Sequence, residues 1–183
     1  EIYNYKPLRK KLQKEGYKFQ TFSDTEVILA LFELGYQCPE RMLDGMFAFA
    51  VYNQKKDTLT LSRDTNGKKP VFFRETEDGI EFSSEQKSLN VGLEQKLNLN
   101  KQTISDFLTL GYTVHPTTVF SEFKQIPAGH KLTVSDKLNL TEWKKAVTFR
   151  KKNDEYKDVV VNVEKLIHKA VEKRLMADVP VGL

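Results

Sequence analysis

Between residues 22 and 84 the spacing of apolar residues changes from the period of a helix to the period of a strand. Apolar residues over residues 22–35 recur at helical spacing, and Gly35 is a typical helix end. From residue 46 to residue 84 the period becomes two, and polar turns separate the short apolar runs. A helix followed by an antiparallel meander of strands predicts an α+β fold.

Two local patterns refine this prediction. Ser23 and Glu26 have the spacing of a capping box, in which the Ser23 hydroxyl accepts from the Glu26 N–H and the Glu26 carboxylate reaches back. Residues 47–52 are apolar on both faces, so we expect a strand buried between layers.

The other elements follow from weaker patterns. We predict further helices over residues 6–15, 104–110 and 154–176, and further strands over residues 118–123 and 130–134. The last helix has an apolar stripe that we expect to be core, with Asn153 as its N-cap and Pro180 as its end. The highly charged residues 150–158 are the candidate domain boundary.

Composition and charge exclude several classes of protein. The net charge is +4, but lysines alternate with acids, as in Lys169, Glu172 and Lys173, which is typical of a solvated helix face rather than a nucleic-acid surface. No apolar run approaches the ~18–20 residues that span a membrane. A single cysteine cannot form an internal disulfide, which favours a reducing compartment. We therefore expect a cytoplasmic protein without nucleic-acid or membrane partners.

Patterns that carry chemistry by themselves are nearly absent. The sequence has no Gly-rich phosphate loop, no Cys-x-x-Cys pair and no His-x-x-x-His pair. His115, His130 and His168 are far apart and are interpreted as structural or surface residues. Cys38 has no evident base or helix N-terminus to stabilise a thiolate, so it is also interpreted as structural. The residues alone therefore support an α+β domain and the start of another.

Five short segments stand in order along the chain. They are Glu1-Ile2-Tyr3-Asn4, Ser23-Asp24-Thr25-Glu26, Leu43-Asp44-Gly45-Met46-Phe47-Ala48-Phe49, Arg63-Asp64-Thr65-Asn66-Gly67-Lys68-Lys69-Pro70 and Phe82-Ser83-Ser84-Glu85-Gln86-Lys87-Ser88-Leu89. Together they resemble class II glutamine amidotransferases of the glutamine-hydrolysing asparagine synthetase type. The later segments, residues 126–130, Trp143 and residues 171–183, are similar to the synthetases rather than to the phosphoribosylpyrophosphate or sugar-phosphate amidotransferases.

The resemblance implies a fold and a domain boundary. Over residues 1–148 it implies an N-terminal-nucleophile-type αββα glutaminase domain with antiparallel sheets. Over residues 149–183 it implies the first helix of an α/β ATP-pyrophosphatase-type synthetase domain. In the family an N-terminal cysteine, an Asn-Gly oxyanion pair and a pyrophosphate loop carry the chemistry. None of the three lies within these 183 residues, so we expect an internal fragment that is inactive alone and binds no cofactor or metal itself.

The resemblance also implies an activity for the complete protein. It would be an asparagine synthase, a carbon–nitrogen ligase that hydrolyses glutamine and transfers the ammonia to aspartate activated by ATP and Mg²⁺. Its small-molecule partners would be glutamine, aspartate and ATP, and the resemblance allows a homodimer. Two alternatives stay open: a related amidotransferase acting on a sugar or another carboxylate in surface-polysaccharide biosynthesis, and a non-catalytic binding module.

Two residues of the chain match the family's glutamine-binding positions. The resemblance implies that Asp24 pairs with the α-ammonium of glutamine and that Glu1 borders the glutamine site, while no catalytic residue is expected in the chain. The alternative for Asp24 is a carboxylate that stabilises the positive end of the following helix. Arg63 and Asp64 are interpreted as a structural ion pair, Asn66-Gly67 as a turn, and residues 83–85 as packing and hydrogen-bonding positions.

Overall fold

The computed structural model describes residues 1–77, 79–91, 96–145, 155–175 and 182. The described helices are α1 Tyr5–Lys14, α2 Glu26–Glu33, α3 Gln86–Leu89, α4 Lys101–Leu110 and α5 Tyr156–Arg174, with a 3₁₀ turn at Pro39–Met42. The described strands are β1 Ala48–Asn53, β2 Thr58–Arg63, β3 Phe72–Thr76, β4 Gly79–Ser83, β5 Lys124–Gln125, β6 His130–Val134 and β7 Leu138–Glu142. Helices and antiparallel strands are both present, so the α+β prediction is confirmed.

The strands form two antiparallel sheets instead of one meander. The first sheet has the order β1-β2-β6-β7, and the second has the order β4-β3-β5. The predicted hairpins β1–β2 and β3–β4 are present, but β2 and β3 belong to different sheets. The chain leaves the first sheet after Arg63, and β3 pairs with β5 from later in the sequence. A continuous meander was therefore the wrong prediction for this connection.

Two hydrophobic clusters hold the layers together. One joins α1 and α2 to the β1 segment, with Leu12, Leu31 and Phe47 buried and Phe47 stacked on Trp143. The other combines residues of both sheets: Leu61, Val71, Phe73, Ile126 and Leu132. The order of packing is therefore helices, first sheet, second sheet. Within β1, Ala50 and Tyr52 are exposed, so burial on both faces was wrong for its second half.

Helix α2 begins at Glu26, later than predicted, and the expected capping box is absent. The Ser23 hydroxyl accepts from the Thr25 N–H at 3.1 Å, not from Glu26. The Glu26 carboxylate accepts from the N–H groups of Gln20 and Thr21, both at 2.7 Å. Because Glu26 reaches the loop before the helix, residues 22–25 form part of that loop and not a first helical turn.

Residues 118–123 also differ from the prediction, since they form turns and isolated bridges instead of a strand. The Thr118 hydroxyl bonds to the main chain of Phe120 and Phe123, which is an alternative to a sheet ladder. Helix α4 begins three residues earlier than predicted, because the Asn100 side chain accepts from the Thr103 N–H and caps it. Strand β7, which no pattern indicated, extends the edge of the first sheet.

Helix α5 confirms the predicted helix but not its buried stripe. None of its residues is buried, and Val160, Leu166 and Ile167 are each about half exposed or more. The stripe was expected to be core, but no described element covers it. The predicted N-cap Asn153, the end at Pro180 and the boundary between residues 148 and 149 lie outside the described residues. Across the described helices, none is long and apolar enough to cross a membrane.

Candidate functional site

A cavity of about 350 Å³ lies where α2, β1 and the β2–β3 connection meet. Its wall includes Glu1, Asp24, Phe47, Lys69, Pro70 and Ser84. These residues come from five separate stretches of sequence, which are the five segments singled out above. The tertiary structure thus brings both predicted site residues, Glu1 and Asp24, into one cavity. It also adds Lys69, Pro70 and Ser84, for which the sequence pattern contained no site signal.

The first wall of the cavity is the segment of residues 1–3, which pairs antiparallel with residues 44–46. The Glu1 nitrogen donates to the Met46 carbonyl at 2.9 Å, and the Met46 N–H donates to the Glu1 carbonyl at 3.0 Å. The Tyr3 N–H donates to the Asp44 carbonyl at 2.7 Å. Gly45 permits this approach, because a Cβ at that position would lie 2.1 Å from the Glu1 carbonyl oxygen.

Asp24 connects the α2 side of the cavity to this segment. Its Oδ2 atom accepts from the Ile2 N–H at 2.8 Å and lies 4.0 Å from the Glu1 nitrogen. Its side chain is 33% exposed, so the carboxylate is accessible to a ligand. The Ile2 residue that donates this bond lies 22 positions earlier in the sequence, so the contact is tertiary. Asp24 therefore fixes two walls of the cavity relative to each other.

The loop that carries Asp24 is itself held by Glu26. Besides the two N–H bonds, its Oε2 atom accepts from the Thr21 hydroxyl at 2.5 Å, and Arg9 lies 4.0 Å away. These bonds, the Thr21 hydroxyl first, hold the pKa of Glu26 below its ordinary value. A larger, open groove of about 700 Å³ lies beside this loop, but Asp24 and Glu1 are not part of its lining.

Arg63 and Asp64 organise the opposite wall. The Arg63 guanidinium donates to the carbonyls of Lys69, Gly67 and Ile126. The Asp64 carboxylate accepts three main-chain N–H bonds from the turn that follows it. The structural interpretation of these two residues therefore holds, but their partners are main-chain groups and not each other, so the predicted ion pair was wrong. The turn at Asn66-Gly67 is present, with Gly67 at φ 62°.

Cys38 lies outside the cavity wall. Its thiol donates to the buried carboxylate of Glu40 at 3.4 Å. Burial first, and then the bond to Glu40, raise the pKa of Cys38 above its usual range. The thiol is therefore protonated at neutral pH, as its structural interpretation requires.

The three histidines are not brought together with Asp24. The His130 ring contacts its neighbour Ala128 through Nδ1, and His168 lies on the exposed helix α5. Burial and then the charge of Arg63 lower the pKa of His115. Within the described part of the chain, no group of three His, Cys, Asp or Glu side chains is arranged to hold a metal ion.

Comparison with known proteins places these features in a family. Residues 1–144 match the family model described as "Glutamine amidotransferase domain". Over 184 aligned residues the chain is 36% identical to asparagine synthetase [glutamine-hydrolyzing] 3 of Bacillus subtilis. This alignment covers 99% of the chain and 30% of that protein. It is 32% identical to putative asparagine synthetase [glutamine-hydrolyzing] 2 of Methanocaldococcus jannaschii, over the whole chain and 36% of that protein.

The fold has a solved counterpart. The structure of glutamine phosphoribosylpyrophosphate amidotransferase from B. subtilis superposes with a TM-score of 0.54 at 20% identity, covering 78% of this chain and 27% of that one. At this identity the likeness concerns the fold, and it confirms the N-terminal-nucleophile-type amidotransferase architecture. The chain spans about a third of the length of the curated relatives it matches. The chain belongs to the glutamine amidotransferase domain family, and the curated relatives it resembles are glutamine-hydrolysing asparagine synthetases.

Proposed function

We propose that the cavity beside Asp24 binds free glutamine and that the chain is the glutamine-site part of an asparagine synthetase. One observation carries this proposal: all five segments that resemble the family line the same cavity. Segments chosen only for helix or strand formation have no reason to meet at one concave surface. Convergence of polar groups in a cavity is the usual mark of a small-molecule site.

Asp24 has the properties that a receptor for an α-ammonium group needs. One carboxylate oxygen is held by the Ile2 N–H, so the side chain has a fixed orientation. Its other oxygen, Oδ1, accepts no hydrogen bond from the described residues. A bond from an ammonium group to a carboxylate is charge-assisted, and such bonds are about twice as strong as neutral ones. Glu1, whose main chain is tied to Met46, forms the rim beside it.

The second half of the reaction belongs to other parts of the protein. In this proposal aspartate is the acceptor, and ATP with Mg²⁺ activates it. The described residues do not fit that role, because they offer no three-ligand metal cluster, and the sequence has no Gly-rich phosphate loop. Helix α5, with its exposed apolar stripe, would begin the domain that binds them. A cytoplasmic homodimer is compatible with this arrangement.

The test is Asp24→Asn in the full-length protein, which removes the charge and preserves the shape. We expect the KM for glutamine to rise roughly 10- to 100-fold, since a charge-assisted bond contributes about 1.5–3 kcal/mol. Asparagine synthesis from added ammonia should not change. The matched control is Asp136→Asn, which alters an exposed carboxylate in the β6–β7 turn. Equal losses in the glutamine- and ammonia-dependent reactions would show that Asp24 has no specific role at the glutamine site.

The same assay addresses the acceptor. Supplying ammonia with aspartate, with sugars or with other carboxylates, and measuring ATP consumption, identifies which acceptor is activated. Turnover with aspartate supports asparagine synthesis. Turnover with another acceptor alone supports the related amidotransferase. No ATP consumption with any acceptor, together with no glutamine binding, supports the binding module.

A further inference from the structure

We propose that Arg63 and Asp64 are positioning residues of the glutamine site, which act by holding the main chain at Lys69-Pro70 against the cavity. This inference rests on the proposed function, because it assigns a role within the same cavity. Neither residue lines the cavity, and both are almost completely buried, at 3% and 1% exposure. Their effect on a ligand is therefore transmitted through the residues they bind.

Asp64 connects two opposite parts of the cavity wall. Its own N–H donates to the carbonyl of Phe47 at 2.9 Å, and Phe47 lines the cavity. Its Oδ2 atom accepts from the N–H of Lys69 at 3.0 Å, and Lys69 lines the cavity as well. Its Oδ1 atom accepts from the N–H groups of Asn66 and Lys68, each at 3.0 Å. A single residue thus sets the distance from the β1 wall to the Lys69 wall.

Arg63 holds the same wall from its carbonyl side. Its Nε–H donates to the Lys69 carbonyl at 2.8 Å, so both main-chain polar groups of Lys69 are bonded to this pair. One terminal nitrogen donates to the Gly67 carbonyl and the other to the Ile126 carbonyl, each at 2.6 Å. The Ile126 bond attaches the turn to the core between the sheets, where Ile126 is fully buried.

Burial of both charges argues for a demanding geometric role. An ordinary turn needs only residues such as Asn, Gly or Pro, whereas a buried charge is costly unless several hydrogen bonds compensate it. Here each charge is compensated by three main-chain bonds, all to residues 66–69 except the one from Arg63 to the Ile126 carbonyl. Gly67 completes the fit, because a Cβ there would lie 3.0 Å from the Arg63 guanidinium. These hydrogen bonds together fix the position of the main chain at Lys69-Pro70.

The decisive variant is Asp64→Asn in the full-length protein. The amide oxygen can still accept from Asn66 and Lys68, but the amide NH₂ replaces Oδ2 and faces the Lys69 N–H, so only the Lys69 contact is lost. We expect kcat/KM for glutamine to fall between about 10- and 100-fold, as for a misplaced binding group. The rate with ammonia should stay as in the wild type, and the Lys69 amide should exchange its hydrogen faster.

A control separates positioning from stability. Thr118→Val removes a buried hydroxyl that bonds to Phe120 and Phe123. None of these three residues lines the cavity, so the variant should lower stability without changing the KM for glutamine. If Asp64→Asn does not fold, Arg63→Lys serves instead. Lysine keeps the positive charge but has one donor nitrogen in place of the three that Arg63 uses, so the KM for glutamine should again rise.

Three results are informative. Loss of glutamine-dependent activity in Asp64→Asn, with ammonia-dependent activity intact, supports the inference. If Asp24→Asn raises the KM for glutamine but Asp64→Asn behaves as Thr118→Val does, the positioning role is refuted and the proposed function stands. If Asp24→Asn also leaves the KM unchanged, the proposed function has failed and the inference fails with it.

Discussion

Gly45 shows how strongly one residue can depend on close packing of the main chain. A side chain at this position would meet the Glu1 carbonyl oxygen at 2.1 Å and the Ile2 Cα at 3.0 Å, both of which are main-chain atoms. Main-chain atoms cannot rotate away as a flexible side chain can. Glycine is therefore required by contact, not by an unusual φ angle, and the pairing of residues 1–3 with residues 44–46 depends on it.

We predict that Gly45→Ala lowers stability by about 1–3 kcal/mol and also raises the KM for glutamine, because the clash displaces the Glu1 wall of the cavity. Urea unfolding and steady-state kinetics of the full-length protein measure the two effects. Gly35→Ala is the control, since Gly35 has φ 78° and no atom near its Cβ position. It should cost stability through strain alone and leave the KM unchanged. A Gly45→Ala variant as stable as the wild type would contradict the predicted clash between a Cβ at this position and the Glu1 carbonyl oxygen.

At the scale of elements, the start of α2 depends on a loop that lies before it. The Glu26 carboxylate binds Gln20 and Thr21, and so closes the loop that leads to Asp24. The sequence pattern placed the same carboxylate in a capping box with Ser23. The capping box and the observed loop contacts both satisfy N–H groups near the start of a helix. The observed contacts form because the loop between α1 and α2 brings Gln20 and Thr21 close to Glu26.

The Glu26 contacts predict a pH dependence. Because folding lowers the pKa of Glu26, its contribution to stability is complete above the ordinary value of 4.5 and is lost as the pH falls through the lower folded-state value. Glu26→Gln should therefore be less stable than the wild type at pH 7, and the difference in unfolding midpoint should shrink below pH ~4. Glu33→Gln, at an exposed position in the same helix, is the control. If the difference in unfolding midpoint between the wild type and Glu26→Gln does not vary with pH, the ionised Glu26 carboxylate does not stabilise the fold.

At the scale of the whole molecule, the described residues up to 145 and helix α5 differ in whether their apolar side chains are buried. The first part contains both hydrophobic clusters, whereas α5 has no buried residue in the described structure. Near its end, Lys173 pairs with Asp44, and Arg174 lies 5.2 Å from the centre of the Tyr3 ring. An exposed ion pair contributes at most about 1 kcal/mol, so these contacts add little to the stability of the fold.

We predict that these 183 residues fold but do not hydrolyse glutamine by themselves. Their one thiol, Cys38, is protonated, bonded to Glu40 and outside the cavity wall. Ammonium release from glutamine should equal the rate in buffer, with a full-length glutamine-hydrolysing relative as the positive control. Release above that rate, abolished by Cys38→Ser, would reverse the assignment of Cys38 as structural.

The sequence by itself determined the types of most elements and the family. Periodicity identified α2, the strands of the β1–β2 and β3–β4 hairpins, and α5, because side-chain spacing along a helix or strand is a local property. Only the tertiary structure decided which strands share a sheet and which residues share a cavity. The bonds that decide this join residues far apart in sequence, such as Ile2 with Asp24 and Arg63 with Ile126. No local pattern encodes such partners, so Lys69, Pro70 and Ser84 became part of the candidate site only once the chain was folded.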